Sequence, residues 1–395
     1  MRIVIIAPEL SVGSVAGVAL RHAVELGKNH IVYVITRNIR PGLPSHIDPI
    51  VVHPSSWNWL HRFCHVPNEL AFIWSARQAL IALSARESPD LVWCHSHGLA
   101  ALAAAPLKRR LGFRLVMTTH GDIFDRPKGT YSRELTWFYK AVTPAAYRQA
   151  DSVHALSPHM ATLAIARRAH PDGVHVIPHG LDPSDIGLTE VTPRSPDSFM
   201  PDGILRILYV GSLWRVKGVE TLLRAAAALS PRNVAISLVG DGPLRGDLEA
   251  LAAELGLAES VVFHGQVRRQ DLASQYRQAD LLCVPSLSEA LSLATLEAMF
   301  CGLPVVGSNT GGIPSLVTHG VTGHLAVPGD VAGLAECIRK AAASRDHLAT
   351  LGERGLERAR SEFGWPVIAD KLNALVQATI SGESSLRRPV DATVR

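Results

Sequence analysis

The sequence predicts an α/β protein made of two consecutive doubly wound domains. Three observations carry that expectation. Short β-branched runs alternate with helical stretches along nearly the whole chain, the alternation stops in a Pro-, Ser- and Asp-rich segment near the middle, and it then restarts. A length of 395 residues has room for two ordinary domains. Hydrophobic content of 47% with 19% charged residues describes a core-forming chain and argues against disorder.

In the first array, strands are expected over 3–7, 31–36, 91–95, 113–118, 152–156 and 174–178, with helices between them, notably over 15–26 and 99–111. The opening MRIVIIAPEL has one basic residue and only a brief apolar stretch before Pro8, so it reads as the first strand and not as a signal peptide. The stretch TEVTPRSPDSFMPDG, Thr189 to Gly203, has no periodicity and reads as an interdomain linker. The expected layout is therefore a first domain over 1–183, a linker over 184–203 and a second domain over 204–362. The second array places strands over 205–210, 234–239, 261–264, 281–285 and 305–307. The amphipathic stretch 363–380 reads as a helix and 381–395 as a frayed tail. Open parallel sheets bind ligands beyond the carboxyl ends of their strands, so two such domains facing a cleft would gather loops from both.

Bulk properties exclude several classes. No apolar run reaches the roughly 18 residues of a membrane span; the best, 98–107, runs into Lys108-Arg109-Arg110. Five cysteines, odd in number and without a CxxC pair, are expected to be reduced thiols in a cytoplasmic protein. The net charge of +4 divides unevenly: residues 1–180 hold 19 Lys+Arg and 11 Asp+Glu, the remainder 20 and 24. The basic half suits anionic lipid or a phosphate-bearing acceptor, or is ordinary solvated surface. No nucleic-acid partner is expected.

The most informative local feature is the run EALSLATLE, with Glu289 and Glu297 at its ends. A loop that becomes a helix by about Ser292 would hold the two carboxylates on the order of 12 Å apart. A glycosidase acid pair needs about 5–9.5 Å, so that chemistry is disfavoured. The spacing suits a long polyhydroxylated ligand with anionic groups in its middle, the diphosphate lying over a helix N-terminus. A nucleotide-sugar has that shape.

The fuller string PSLSEALSLATLEAMFCGLPVVGSNTGGIPSLVTHGVTG, Pro285 to Gly323, closely resembles the donor-site segment of family 4 retaining glycosyltransferases. The resemblance covers nearly the whole chain, is strongest over 205–330, and implies the GT-B fold, two Rossmann-like domains facing a central cleft. It implies that 363–380 crosses back to pack on the first domain. It also implies that Glu289 contacts hydroxyls of the transferred sugar and Glu297 the ribose diol, with backbone amides near Ser292 and Leu293 facing the phosphates. In LYVGSLWRVKG, Lys217 stands at the family's diphosphate-binding lysine. The arginine that often follows Gly211 is Ser212 here; Arg215, three residues on, could substitute through a loop shift. Gly240-Asp241-Gly242 is the turn that borders the nucleotide in relatives. Gly13-Ser14-Val15 resembles the family's Gly-Gly-Val turn, with Ser14 for the second glycine. His120, in MTTHGD, falls at the family's histidine facing the donor sugar.

A retaining, metal-independent hexosyl transfer is the activity so implied, with no cofactor. The chain lacks any Asp-x-Asp triplet of the kind that binds a donor through a divalent metal. His95 and His97 lack a third ligand at zinc spacing. The donor would be a nucleotide diphosphate sugar, and the acceptor a saccharide or lipid-linked saccharide at the inner membrane face. Trp57, Trp59, Phe63 and Trp74 suit an interfacial patch, an acceptor wall or ordinary packing. A degenerate nucleotide-binding scaffold and a nucleotide-sugar epimerase of the same shape are the alternatives.

Overall fold

The protein, seen in a computed structural model, is described over residues 1–8, 14–38, 44–45, 47–52, 66–95, 99–120, 133–229 and 233–382. It divides into two compact units, Met1–Pro178 with Ile368–Arg395, and His179–Val367.

The first unit carries a seven-stranded sheet of β1 (Arg2–Ile6), β2 (Ile31–Thr36), β3 (Ile47–Val51), β4 (Leu91–His95), β5 (Arg114–Thr119), β6 (Ser152–Ala155) and β7 (Val174–Val176). Their order is β3-β2-β1-β4-β5-β6-β7 and every pairing is parallel. β4, LVWCH, is buried at every position, which is why it reads as a continuous apolar run and not an alternating one. Of its seven strands, β3 is absent from the sequence-based expectation. Pro49 and a mostly exposed pattern mask it, and an edge strand tolerates both. The expected helix over 99–111 is broken into Leu99–Ala104, a 3₁₀ turn Ala105–Leu107 and Lys108–Leu111, because Pro106 cannot donate to the helical ladder.

The second unit carries β8 (Leu205–Val210), β9 (Val234–Val239), β10 (Val261–Gly265), β11 (Leu281–Val284), β12 (Val305–Ser308) and β13 (Gly323–Ala326), ordered β10-β9-β8-β11-β12-β13 and again all parallel. Short edge strand β13 is also missing from the expectation. In both sheets the strand order reverses once, between β1 and β4 and between β8 and β11. Such switch points open a crevice at the carboxyl edge of the sheet.

Residues 184–203, which read as a linker, lie within the second unit. Ile186, Leu188 and Phe199 are buried. Arg194 stacks 4.1 Å from the Phe199 ring and donates to the Ala279 carbonyl, while Met200 N donates to Asp280 at 2.8 Å. A few apolar anchors spaced among polar residues suffice to pin a segment without periodicity. The helix Trp365–Ser381 begins in the second unit and continues in the first, where Thr379 Oγ1 lies 2.8 Å from Ser152 Oγ and His30 Nε2 lies 3.1 Å from Asn373 Oδ1. The tail from 383 onward falls outside the described residues, as do Trp57, Trp59 and Phe63; Trp74 is 61% exposed on the helix Val66–Ser84. Among the described residues no helix is long and apolar enough to cross a membrane. Cys94, Cys283, Cys301 and Cys337 are buried free thiols.

Candidate functional site

The switch point of the second sheet brings two of the residues singled out in the sequence, Lys217 and Glu289, together. β8 ends at Val210, and the loop after it winds through Gly211, Ser212 and the 3₁₀ turn Arg215–Lys217. β11 ends at Val284, and its following loop carries Ser286 and Glu289 to the helix Leu293–Phe300. The two loops meet: Lys217 Nζ lies 2.6 Å from Glu289 Oε2, which also accepts from Ser286 Oγ at 3.4 Å. Both members of the ion pair are largely but not wholly buried, at 26% and 14% exposed.

Two glycines make that meeting sterically open. Gly218, at φ 64°, lets the first loop run so close to the second that a Cβ would stand 2.1 Å from the Pro285 carbonyl oxygen. Gly311, at φ 58°, backs Glu289 itself, with a Cβ falling 1.7 Å from the Glu289 carbonyl oxygen, and Gly312 N donates to that same oxygen at 3.0 Å. A side chain at Gly218 would displace the Pro285 backbone, and one at Gly311 the backbone of Glu289 itself.

Ser292 caps the helix. Its hydroxyl accepts from Thr295 N at 3.3 Å, and its backbone is left-handed at φ 75°, which only glycine adopts without strain. Leu293 begins the helix, so its amide stands among the N-terminal donors that an anion can use. The turn after β9 contributes Gly240, Asp241 and Gly242. Gly240 N donates to Gly265 O, Asp241 O accepts from Leu213 N at 3.0 Å, and Asp241 Oδ1 accepts from Gly242 N at 2.8 Å. Gly211 N donates to Val239 O, and the Ser212 carbonyl accepts from Tyr209 Oη at 2.8 Å, so this chain locks its serine-bearing loop through the backbone. Arg215 is exposed and makes no ion pair among the described residues.

Glu297 lies eight residues past Glu289 and is 2% exposed. Its Oε2 accepts from Tyr276 Oη at 2.7 Å, and its Oε1 lies 3.0 Å from Arg269 Nη2. Burial pushes the carboxyl upward from its ordinary range, against the pull of Arg269 and Tyr276. The Tyr276 phenol is itself pushed well up by burial and by Glu297, so it stays protonated and acts as the donor. Arg269 and Tyr276 are site residues that the sequence reading missed. The signal available was the basic pair Arg268-Arg269 just after a strand end, the same topological place that Lys217 occupies after β8.

In the first unit, His120 follows β5 and His95 closes β4. Their rings are hydrogen-bonded, His95 Nδ1 to His120 Nε2 at 3.0 Å, so one ring donates and the other accepts. Behind them runs a satisfied chain. Trp93 Nε1 donates to Thr118 Oγ1 at 2.7 Å, Thr118 Oγ1 lies 3.2 Å from His154 Nδ1, and His154 Nε2 lies 2.7 Å from Ile177 O. A carbonyl only accepts, so His154 carries its proton on Nε2 and is neutral; burial lowers it to about 4. Gly13 and His97 lie outside the described residues, and Ser14 starts the helix Ser14–Gly27.

Comparison with known proteins bears on the family and the fold. The model of glycosyl transferases group 1 matches residues 205–344, and that of the glycosyl transferase 4-like domain matches 14–180. The 2-deoxystreptamine glucosyltransferase of Streptomyces kanamyceticus is 31% identical over 304 residues, 74% of this chain and 79% of that protein. The MMP alpha-(1->4)-mannosyltransferase of Mycolicibacterium hassiacum is 29% identical, over 78% of this chain and 75% of its own. Among solved structures, sucrose-phosphate synthase from Thermosynechococcus elongatus superposes with a TM-score of 0.78 at 24% identity, covering 96% of this chain and 99% of that one. Anabaena HepE in complex with UDP and glucose gives 0.74 at 21%, covering 96% and 100%. With both halves matched and a relative above 30% identity spanned over most of its length, the chain belongs to the family 4 glycosyltransferases and has the GT-B fold.

Proposed function

We propose that the protein transfers a hexose-type sugar, with retention of anomeric configuration, from a nucleoside diphosphate sugar to a hydroxyl of a saccharide or lipid-linked saccharide. The observation that carries the reading is the Lys217–Glu289 pair at the switch point, with the capped N-terminus of Leu293–Phe300 beside it in sequence. An ammonium next to a carboxylate offers the two halves of a donor what each needs, a cation for the diphosphate and an acceptor for sugar hydroxyls.

In the proposed course the anomeric C–O bond to the diphosphate breaks as the acceptor oxygen bonds to the same face of that carbon. The acceptor proton passes to a diphosphate oxygen, which leaves as the nucleoside diphosphate. Lys217 stabilises the charge that develops on the leaving group, and Glu289 orients the sugar through its hydroxyls. Glu297 holds the ribose diol, and His120 serves near the anomeric centre. Ser212, Arg215, Gly240, Asp241 and Gly242 border the nucleotide, and Gly13 and Ser14 the diphosphate. Positive charge for the diphosphate comes from side chains and helix amides in this reading, with no metal required.

UDP-glucose is the first donor to try, since HepE has been solved with it. The test is a thermal-shift panel of UDP, GDP, ADP and their common sugars, followed by product analysis with the responding donor. A shift for one nucleotide series that is lost in Lys217→Ala and Glu297→Ala supports the reading. No shift with any of them, and no nucleotide released, would overturn it.

A further inference from the structure

Glu297 is the most deeply buried charged group of the site, and among the described residues two side chains reach its carboxylate: Tyr276 on Oε2 and Arg269 on Oε1. A carboxylate has about four acceptor positions over its two oxygens. One on each oxygen is taken, so one on each remains, the pattern that a vicinal diol needs. Protonation would convert one of those acceptors into a donor and spoil the match.

The other charged neighbours do not protect Glu297. Asp185, from the segment Pro183–Ile186, opposes its ionisation. Arg277, on the same helix as Tyr276, donates to the Glu190 carbonyl, Arg194 donates to Ala279, and the nearby Cys301 thiol is held neutral by burial. Among the described residues Arg269 is the one basic side chain in ion-pair contact with Glu297.

Arg269 is held in place by the fold. It sits in the 3₁₀ turn Arg269–Asp271, which Arg268 clamps by its 2.6 Å contact with Asp271. Gly187, left-handed at φ 77°, lets the 183–188 segment press on that turn, since a Cβ there would fall 1.9 Å from the Gln270 carbonyl oxygen.

We infer that Arg269 is a positioning residue that keeps Glu297 an ionised, correctly turned acceptor for the ribose diol of the donor, with Tyr276 fixing the other oxygen. The inference rests on the proposed role of Glu297, and its test separates the two.

The first measurement needs no ligand. Infrared pH-difference spectra are recorded on wild type, Arg269→Met and Glu297→Gln. A protonated-carboxyl band at neutral pH is expected in Arg269→Met, absent from wild type and removed again in an Arg269→Met, Glu297→Gln double variant. The second measurement is UDP binding by calorimetry from about pH 6.5 to 9, taken as the ratio of variant to wild type so that ionisation of UDP itself cancels. Arg269→Met is expected to bind about ten-fold or more weakly at the low end and to recover as pH rises. Arg269→Lys should restore most of the affinity, while Glu297→Gln should be weak at every pH. An Arg269→Met protein with no such band and a pH-independent affinity ratio would overturn the inference. A Glu297→Gln protein that binds UDP as wild type does would instead overturn the ribose role, whatever the infrared spectra show.

Discussion

Lys217 and Glu289 are 72 positions apart in sequence, and their charged ends lie 2.6 Å apart. Neither is fully buried, so each charged end keeps some access to solvent, and in the proposed reaction the ammonium can turn to a donor diphosphate.

That partial exposure yields the first prediction. Lys217→Ala is expected to fold with a melting temperature close to wild type while turnover falls about 10²–10³-fold, the usual cost of one electrostatic group aimed at developing charge. Steady-state kinetics beside a thermal melt checks it. A large drop in melting temperature with kcat preserved would mark the pair as structural.

Ser292 heads the helix with a left-handed backbone, φ 75°, a conformation that suits glycine better than serine. Ser292→Gly gives up little of the cap and relieves strain of roughly 1–2 kcal/mol, so it should stabilise the protein by about 1 kcal/mol. Ser292→Ala keeps the strain and loses the hydroxyl that accepts from Thr295 N, so it should destabilise by about 1 kcal/mol. Urea titration of the three proteins reads both signs, and equal stability of the Gly and Ala variants would refute the argument.

What the sequence makes legible follows from where the information is local. Buried parallel strands such as β4 and β11 announce themselves as unbroken apolar runs, and the loop-to-helix step at Ser292 is written in consecutive residues. Edge strands β3 and β13 are short or proline-bearing, and the 184–203 segment is held by scattered anchors, so neither has a period to read. Lys217, Glu289 and Glu297 stand out because they sit inside long ordered motifs. Arg269 does not, because its meaning depends on Gly187 approaching Gln270 and on a partner 28 residues away. Ring-to-ring pairing of His95 with His120 likewise follows from strand adjacency, with His95 in register with Thr118.

Metal independence is a separate prediction. With Lys217 and the amides at the head of Leu293–Phe300 supplying positive potential, prolonged dialysis against EDTA should leave turnover within about two-fold of the untreated enzyme. Loss of activity on chelation, restored by added magnesium or manganese, would show that a cation bridges the diphosphate.

Acid should weaken the first unit through His154. Its ring is fully buried, donates to Ile177 O, and is lowered from 6.5 to about 4 in the folded protein by burial, with His175 adding to the shift. The sign follows directly. Above about pH 6.5 the ring is neutral in both folded and unfolded chains and costs nothing. As pH falls from about 6.5 towards 4 the unfolded chain takes up a proton that the folded one refuses, so stability drops across that window and the contribution levels off below it. The drop attributable to this group is on the order of 3 kcal/mol at most. Replacing His154 with Gln keeps an amide donor for Ile177 O and an acceptor for Thr118 Oγ1 while removing the titration. The variant should therefore lose that part of the pH slope even if it starts less stable at neutral pH. Denaturant midpoints measured from pH 7 to pH 4 on both proteins decide the matter, since parallel slopes would mean that other groups carry the acid sensitivity.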